Sequence, residues 1–255
     1  MREQPHQQPP PVQRLRLRYA KRGRLRFTSH RDFSRAFERA VFRARIPMAY
    51  SSGFNPHPRI SYAGAAPTGS ASEAEYLEIA LAEELDPARA HADIDAALPP
   101  GLDVIEVVPS SGGALADRLE ASWWRLTIDG VSAEEAGDAV RALLATEEVV
   151  VERMTKKGLR TFDARAAIAS IDLVEEPGVE PGDSRPGPEA CAILDVVLRH
   201  GSPSVRPDDV LAALHQASGL RVTAVLQQRL AQGPLDEKNG TVGDPLTPDR
   251  DAAGQ

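Results

Sequence analysis

From Arg14 to Ala20 the chain alternates apolar and polar positions, with Leu15, Leu17 and Tyr19 set between Arg14, Arg16 and Arg18. A period of two predicts a β-strand with one buried and one basic face. Lys21, Arg22 and Gly23 predict a turn, and Leu25 and Phe27 continue the alternation, so a hairpin into a second short strand is expected. Beyond Ser29 the period becomes helical. Phe33, Phe37, Ala40, Val41 and Ala44 share one stripe, Thr28 or Ser29 is placed to cap its start, and Pro47 ends it. Further strands are expected at 48–50, 60–62, 76–82 and 103–108, with a helix over 87–98.

A similar series follows. Strands are expected at 122–128, 149–154, 191–200 and 222–228, and helices at 133–144 and 207–216. Setting aside the hairpin extension and the loop, each series reads strand, helix, strand, strand, helix, strand. The expected fold class is therefore α+β, two tandem ferredoxin-like (βαββαβ) domains over 12–110 and 119–231, the second carrying an insertion at 155–189. Residues 1–11 and 233–255 are polar and rich in Gln, Pro or Gly, and disordered termini are expected there.

Charge sharpens this picture. The 255 residues carry a formal net charge of −7, yet residues 1–62 hold 14 Lys or Arg against 3 Asp or Glu. The run Arg14, Arg16, Arg18, Lys21, Arg22, Arg24 and Arg26 is the footprint of a surface for phosphate backbones or an acidic partner. It equally fits a strand face balanced within the chain by the acidic remainder. No apolar run approaches the roughly 18 residues of a membrane span, and the N-terminus lacks the apolar centre of a secretory signal, so a cytoplasmic protein is expected. Cys191 is the single cysteine. It makes no internal disulfide, falls short of the roughly four thiolates of an iron–sulfur cluster, and opens an apolar strand where a buried small hydrophobe is expected. P-loop, dinucleotide-fingerprint, three-cysteine radical SAM, nucleophile-elbow and zinc-finger patterns are missing, which favours an accessory role over independent catalysis.

The most specialised segment is Gly53, Phe54, Asn55, Pro56, His57, Pro58 and Arg59, in which two prolines stiffen the backbone around a histidine. Phe54 and His57 suit stacking on an unpaired base, and Asn55 and Arg59 suit a base edge or a phosphate. His57 and His30 are the candidate acid–base groups. The alternative is that Asn55 and His57 hydrogen-bond the loop to itself. Ser29, His30 and Asp32 sit where helix-start amides favour an anion, although Asp32 also suits ordinary first-turn capping. Arg35 and Arg39 share a helix face beside Glu38, suited to a phosphate or to solvent-exposed ion pairs. Lys156 and Lys157 form a second basic patch with Arg160 and Arg165. A metal site from His30, Asp32 and His57 lacks ligand spacing, and no metal is expected.

The segments SHRDFSRAFERA (29–40), RIPMAYSSGFNPHPRISYA (45–63) and SEAEYLEIAL (72–81) resemble the radical SAM-linked proteins, an uncharacterised bacterial family. The resemblance is dense over 15–81, thinner over 154–165 and diffuse beyond. It implies a module encoded beside, or fused behind, radical SAM proteins with a cobalamin-binding-type domain. S-adenosylmethionine and the iron–sulfur cluster then belong to that partner, and no cofactor binds this chain directly. With the basic residues Arg18, Lys21, Arg22, Arg24, Arg26, Arg35 and Arg39, the expected function is an auxiliary RNA-binding or substrate-presenting module in tRNA or rRNA modification. Two rivals stay open: an RNA-modifying or RNA-cleaving enzyme using His30 and His57, and a protein-only adaptor for the radical SAM partner.

Overall fold

A computed structural model describes residues 7–155, 158–174 and 191–254. The chain divides into two units, Met1–Leu119 with Asp244–Gln255, and Glu120–Gly243. Residues 1–6 of the expected disordered N-terminus lie outside the described residues.

In the first unit β1 (Gln13–Lys21) is followed by α1 (His30–Arg43), β2 (Ile60–Ala63), β3 (Ala71–Leu81), α2 (Pro87–Ala97) and β4 (Val104–Pro109). β1 runs antiparallel between β3 and β4, so that Leu17 is flanked by Leu77 and Val107. β2 adds to β3, with Tyr62 opposite Leu77, giving the order β4-β1-β3-β2. The period-two apolar set Leu15, Leu17 and Tyr19 joins Leu77, Ile79 and Leu81 against Phe33 and Phe37 of α1 and Ile94 of α2. The rings of Tyr19 and Phe33 stack at 4.3 Å, which locks α1 onto the central strand.

Two local expectations are corrected here. Residues Gly23–Phe27 form a 3-10 turn closed by Leu25 N–H to Arg22 O and Thr28 N–H to Leu25 O, not the second strand of a hairpin. Both edges of β1 are occupied by β3 and β4, so a strand at 25–27 has no free edge to pair with, and Leu25 packs against the core instead. Residues 48–50 make isolated bridges, Met48 with Leu81 and Tyr50 with Pro58, in place of a strand.

The second unit contains β5 (Ala121–Asp129), α3 (Ala133–Ala145), β6 (Val150–Thr155), β7 (Gly158–Asp163), β8 (Ile168–Leu173), β9 (Cys191–Arg199), α4 (Pro207–Ser218), β10 (Ala224–Gly233), β11 (Leu235–Asp236) and β12 (Thr241–Val242). β5 lies between β10 and β9, with β8 beyond β9. A capping box between Ser132 and Glu135 starts α3, which packs against α4. The strand expected over 149–154 does not join this sheet: β6 pairs only with β7, in a separate hairpin. The place beside β9 goes to β8, from within the expected insertion. β8 buries Ile168 and Ile171, whereas β6 buries only Val151, so burial selects the later segment.

The expected disordered tail at 233–255 is also corrected. Its end forms α5 (Thr247–Ala253) and belongs to the first unit. Leu246 is fully buried with Val108, Leu115 and Leu119. Among the described residues, α- and β-elements are mixed, with five α-helices, and no helix is long and apolar enough to cross a membrane.

Candidate functional site

Most of the cations of β1 and its turn are bonded within the fold. The Arg16 side chain is wholly buried and paired with Glu78 and Asp249. Arg14 pairs with Glu78 at 2.8 Å, and Arg18 Nε donates to the Glu73 carbonyl at 2.8 Å. Lys21 is buried and donates to Pro67 O. Arg22 makes two hydrogen bonds to Glu73 and one to Asp103, and the Glu73 bond is the largest of the effects that raise its pKa. Of the expected phosphate contacts, Arg18, Lys21 and Arg22 thus already bond carbonyls and carboxylates, and Arg22 stays exposed at the same time. Arg24 is exposed, and Arg26 lies over the Phe27 ring, 4.6 Å from its centre.

α1 differs. At its start the Ser29 hydroxyl donates to Asp32 at 2.6 Å and accepts from Asp32 N–H at 3.2 Å, so these two residues cap the first turn. His30 is exposed and meets Tyr62 edge-on, with ring centres 4.9 Å apart. The Tyr62 hydroxyl is buried beside the Ser34 hydroxyl, which partly offsets the effect of burial, but no well-formed hydrogen bond reaches it among the described residues. Burial pushes its pKa up to about 12, and the charge of Glu38 adds to the push. On the outer face Arg31, Arg35, Arg39 and Arg43 follow one another at i, i+4 spacing, all exposed. No described carboxylate pairs with any of them, and Glu38 bonds neither Arg35 nor Arg39, so the exposed ion pairs allowed by the sequence do not form. Arg35, Glu38, Arg39, Phe42 and Arg43 line a shallow concavity of about 630 Å³, and Phe42 is 81 % exposed. Just past the helix, Arg45 holds a left-handed φ of 54°.

The proline loop is braced, but not by the side chains expected to brace it. Ser51 N–H donates to His57 O at 2.9 Å, His57 N–H donates to Ser51 Oγ at 3.0 Å, and Arg59 Nε donates to Tyr50 O at 3.0 Å. Ser51, which sequence reasoning passed over, is the anchor; a hydroxyl just ahead of a Pro-rich turn was the available signal. Arg59 is half-buried and structural, while Gly53 supports the turn at φ 127°. The side chains of Phe54, Asn55 and His57 remain exposed, and the Asn55 amide and His57 imidazole have no hydrogen-bond partner among the described residues.

Lys156 and Lys157 lie outside the described residues. Next to them Arg153 is tied to Asp209 at 2.5 Å and Arg160 is exposed. Cys191 is exposed at the first position of β9, not buried as expected, because the strand's inward positions start at Ala192. No group of three or more His, Cys, Asp or Glu side chains placed to hold a metal exists among the described residues.

A family model described as "Uncharacterized protein conserved in bacteria (DUF2344)" matches residues 14–207. No curated protein matches the chain. Among solved structures, a chain of the "Crystal Structure of a Cbf5-Nop10-Gar1 Complex" superposes with a TM-score of 0.46 at 10 % identity, over 86 % of this chain and 48 % of that one. The present chain spans about half the length of that structural relative, and a likeness at this level assigns neither substrate nor activity.

Proposed function

The chain belongs to this family of proteins conserved in bacteria, and from that premise we propose that it is an auxiliary RNA-binding, substrate-presenting module that acts with a radical SAM enzyme in tRNA or rRNA modification. One observation carries the RNA reading: α1 holds four exposed arginines without carboxylate partners, in a unit that neutralises Arg14, Arg16 and Arg22 internally. Unpaired guanidiniums aligned on one helix face bind phosphates bidentately and release condensed counterions from the RNA. Resemblance of 29–40, 45–63 and 72–81 to the radical SAM-linked proteins supports the enzyme partner. The single Cys191 leaves the iron–sulfur cluster and S-adenosylmethionine to that partner. A ferredoxin-like assignment of both units is supported by the orders β4-β1-β3-β2 and β10-β5-β9-β8, each with two helices. A cytoplasmic location goes with this reading.

The test is titration of the whole protein with RNA across a salt series, beside an Arg35→Glu/Arg39→Glu variant. Binding that weakens steeply with salt and collapses on charge reversal is expected. Absence of binding by the folded protein at low salt, or indifference to the reversal, would overturn the RNA reading and favour the adaptor.

A further inference from the structure

We propose, resting on the RNA-binding reading above, that the RNA is single-stranded, with its unpaired bases stacked on Phe42 and Phe54 while the α1 arginines hold its phosphates. Phe42 and Phe54 are 81 % and 76 % exposed, in a unit whose core is already complete with Phe33, Phe37 and Tyr19. Among the described residues neither ring rests on another aromatic or under a guanidinium, in contrast to Phe27 beneath Arg26. Phe42 lines the concavity with Arg35, Arg39 and Arg43, so one base-sized apolar face lies among phosphate-binding cations on one helix.

That juxtaposition suits an unpaired strand, in which each phosphate is followed by a base with a free face. It does not match a duplex, whose base faces are stacked away and whose deep major groove excludes side chains. A phenyl ring set against duplex RNA meets only sugar and phosphate and gains little. An acidic peptide would occupy the arginines but leave both rings without a partner. The loop adds selectivity: beside Phe54, the free Asn55 amide and His57 imidazole reach an exposed base edge, held in place by the Ser51 brace. Arg45 extends the cationic ridge past the end of the helix from a left-handed backbone position that glycine fills without strain.

Three ligands of equal length separate the alternatives: an unstructured RNA strand, a perfect RNA duplex and polyglutamate, each titrated by fluorescence polarisation. The proteins are the wild-type chain, Phe42→Ala/Phe54→Ala and Arg35→Glu/Arg39→Glu, with thermal unfolding checked for each. The single strand is expected to bind at least about tenfold more tightly than the duplex. The double alanine variant should lose about tenfold or more of that affinity with an unchanged salt slope and unchanged unfolding. Equal affinity for strand and duplex, or no loss in the alanine variant, would overturn the single-strand inference and leave RNA binding standing. Failure of either RNA to bind, or tighter binding of polyglutamate, would overturn both.

Discussion

The guanidinium of Arg16 and the carboxylate of Asp249, 233 positions apart, form a fully buried ion pair at 2.9 Å. All the donors of Arg16 are used: Nε on Glu78, Nη1 on both Asp249 oxygens, and Nη2 on the carbonyls of Gly112 and Gly113. Asp249 also accepts from the Ser111 amide and hydroxyl and from Arg118. The chain end therefore covers the face of β1 opposite α1 and α2.

Removing one partner of a buried pair leaves the other charge uncompensated. Asp249→Ala is expected to lower unfolding free energy by about 3–5 kcal/mol in urea titration. A loss below about 1 kcal/mol would show that Arg16 finds solvent without Asp249.

Acid should act on the same cluster. Burial alone would raise both carboxyls, but the bonds from Arg14, Arg16 and Ser110 hold Glu78, and those from Ser111, Arg16 and Arg118 hold Asp249, below their ordinary values. A depressed folded pKa gives stability that is complete above about pH 4 and lost as the pH falls through the lower folded values. Urea midpoints measured downward from pH 6 should drop below about pH 4, and Asp249→Asn should flatten the drop while lowering the plateau.

Arg45→Gly should trade binding for stability. Glycine relieves the left-handed strain and is expected to raise unfolding free energy by up to about 1 kcal/mol while weakening RNA binding severalfold. Unchanged affinity would remove Arg45 from the ridge.

Tyr62→Phe deletes a buried hydroxyl without a well-formed hydrogen bond among the described residues, and a gain of about 1 kcal/mol is expected where truncating a bonded tyrosine would destabilise. With the folded pKa pushed up to about 12, the fold prefers the neutral phenol. Stability should therefore fall as pH rises from about 10 towards that value, and the variant should lack this component. A destabilised variant would mean that the hydroxyl is satisfied after all.

Arg22→Glu and Arg35→Glu should part company. Arg22→Glu sets a third carboxylate against Glu73 and Asp103 and is expected to cost about 1 kcal/mol of stability with little effect on RNA affinity. Arg35→Glu should do the reverse, as read by paired unfolding and binding curves.

The sequence by itself determined the elements whose signal is local. The alternation of Leu15, Leu17 and Tyr19 specified β1, the Phe33–Phe37–Ala40 stripe specified α1, and the two prolines marked a constrained loop. Each depends on neighbours within a few positions, where backbone geometry alone relates period to face. Only tertiary structure decided what those faces meet. Period two places Arg14, Arg16 and Arg18 on one side of a strand, but Glu73, Glu78 and Asp249, from distant positions, decide that the side is closed. The i, i+4 arginines of α1 read no differently in sequence, and no carboxylate arrives there. The same reason explains the missed strand β8, chosen over β6 by the burial of Ile168 and Ile171, and the polar tail, ordered because Leu246 and Asp249 fit a site built by other segments. Burial and charge pairing are settled by contacts distant in the chain, and a one-dimensional pattern carries no record of them.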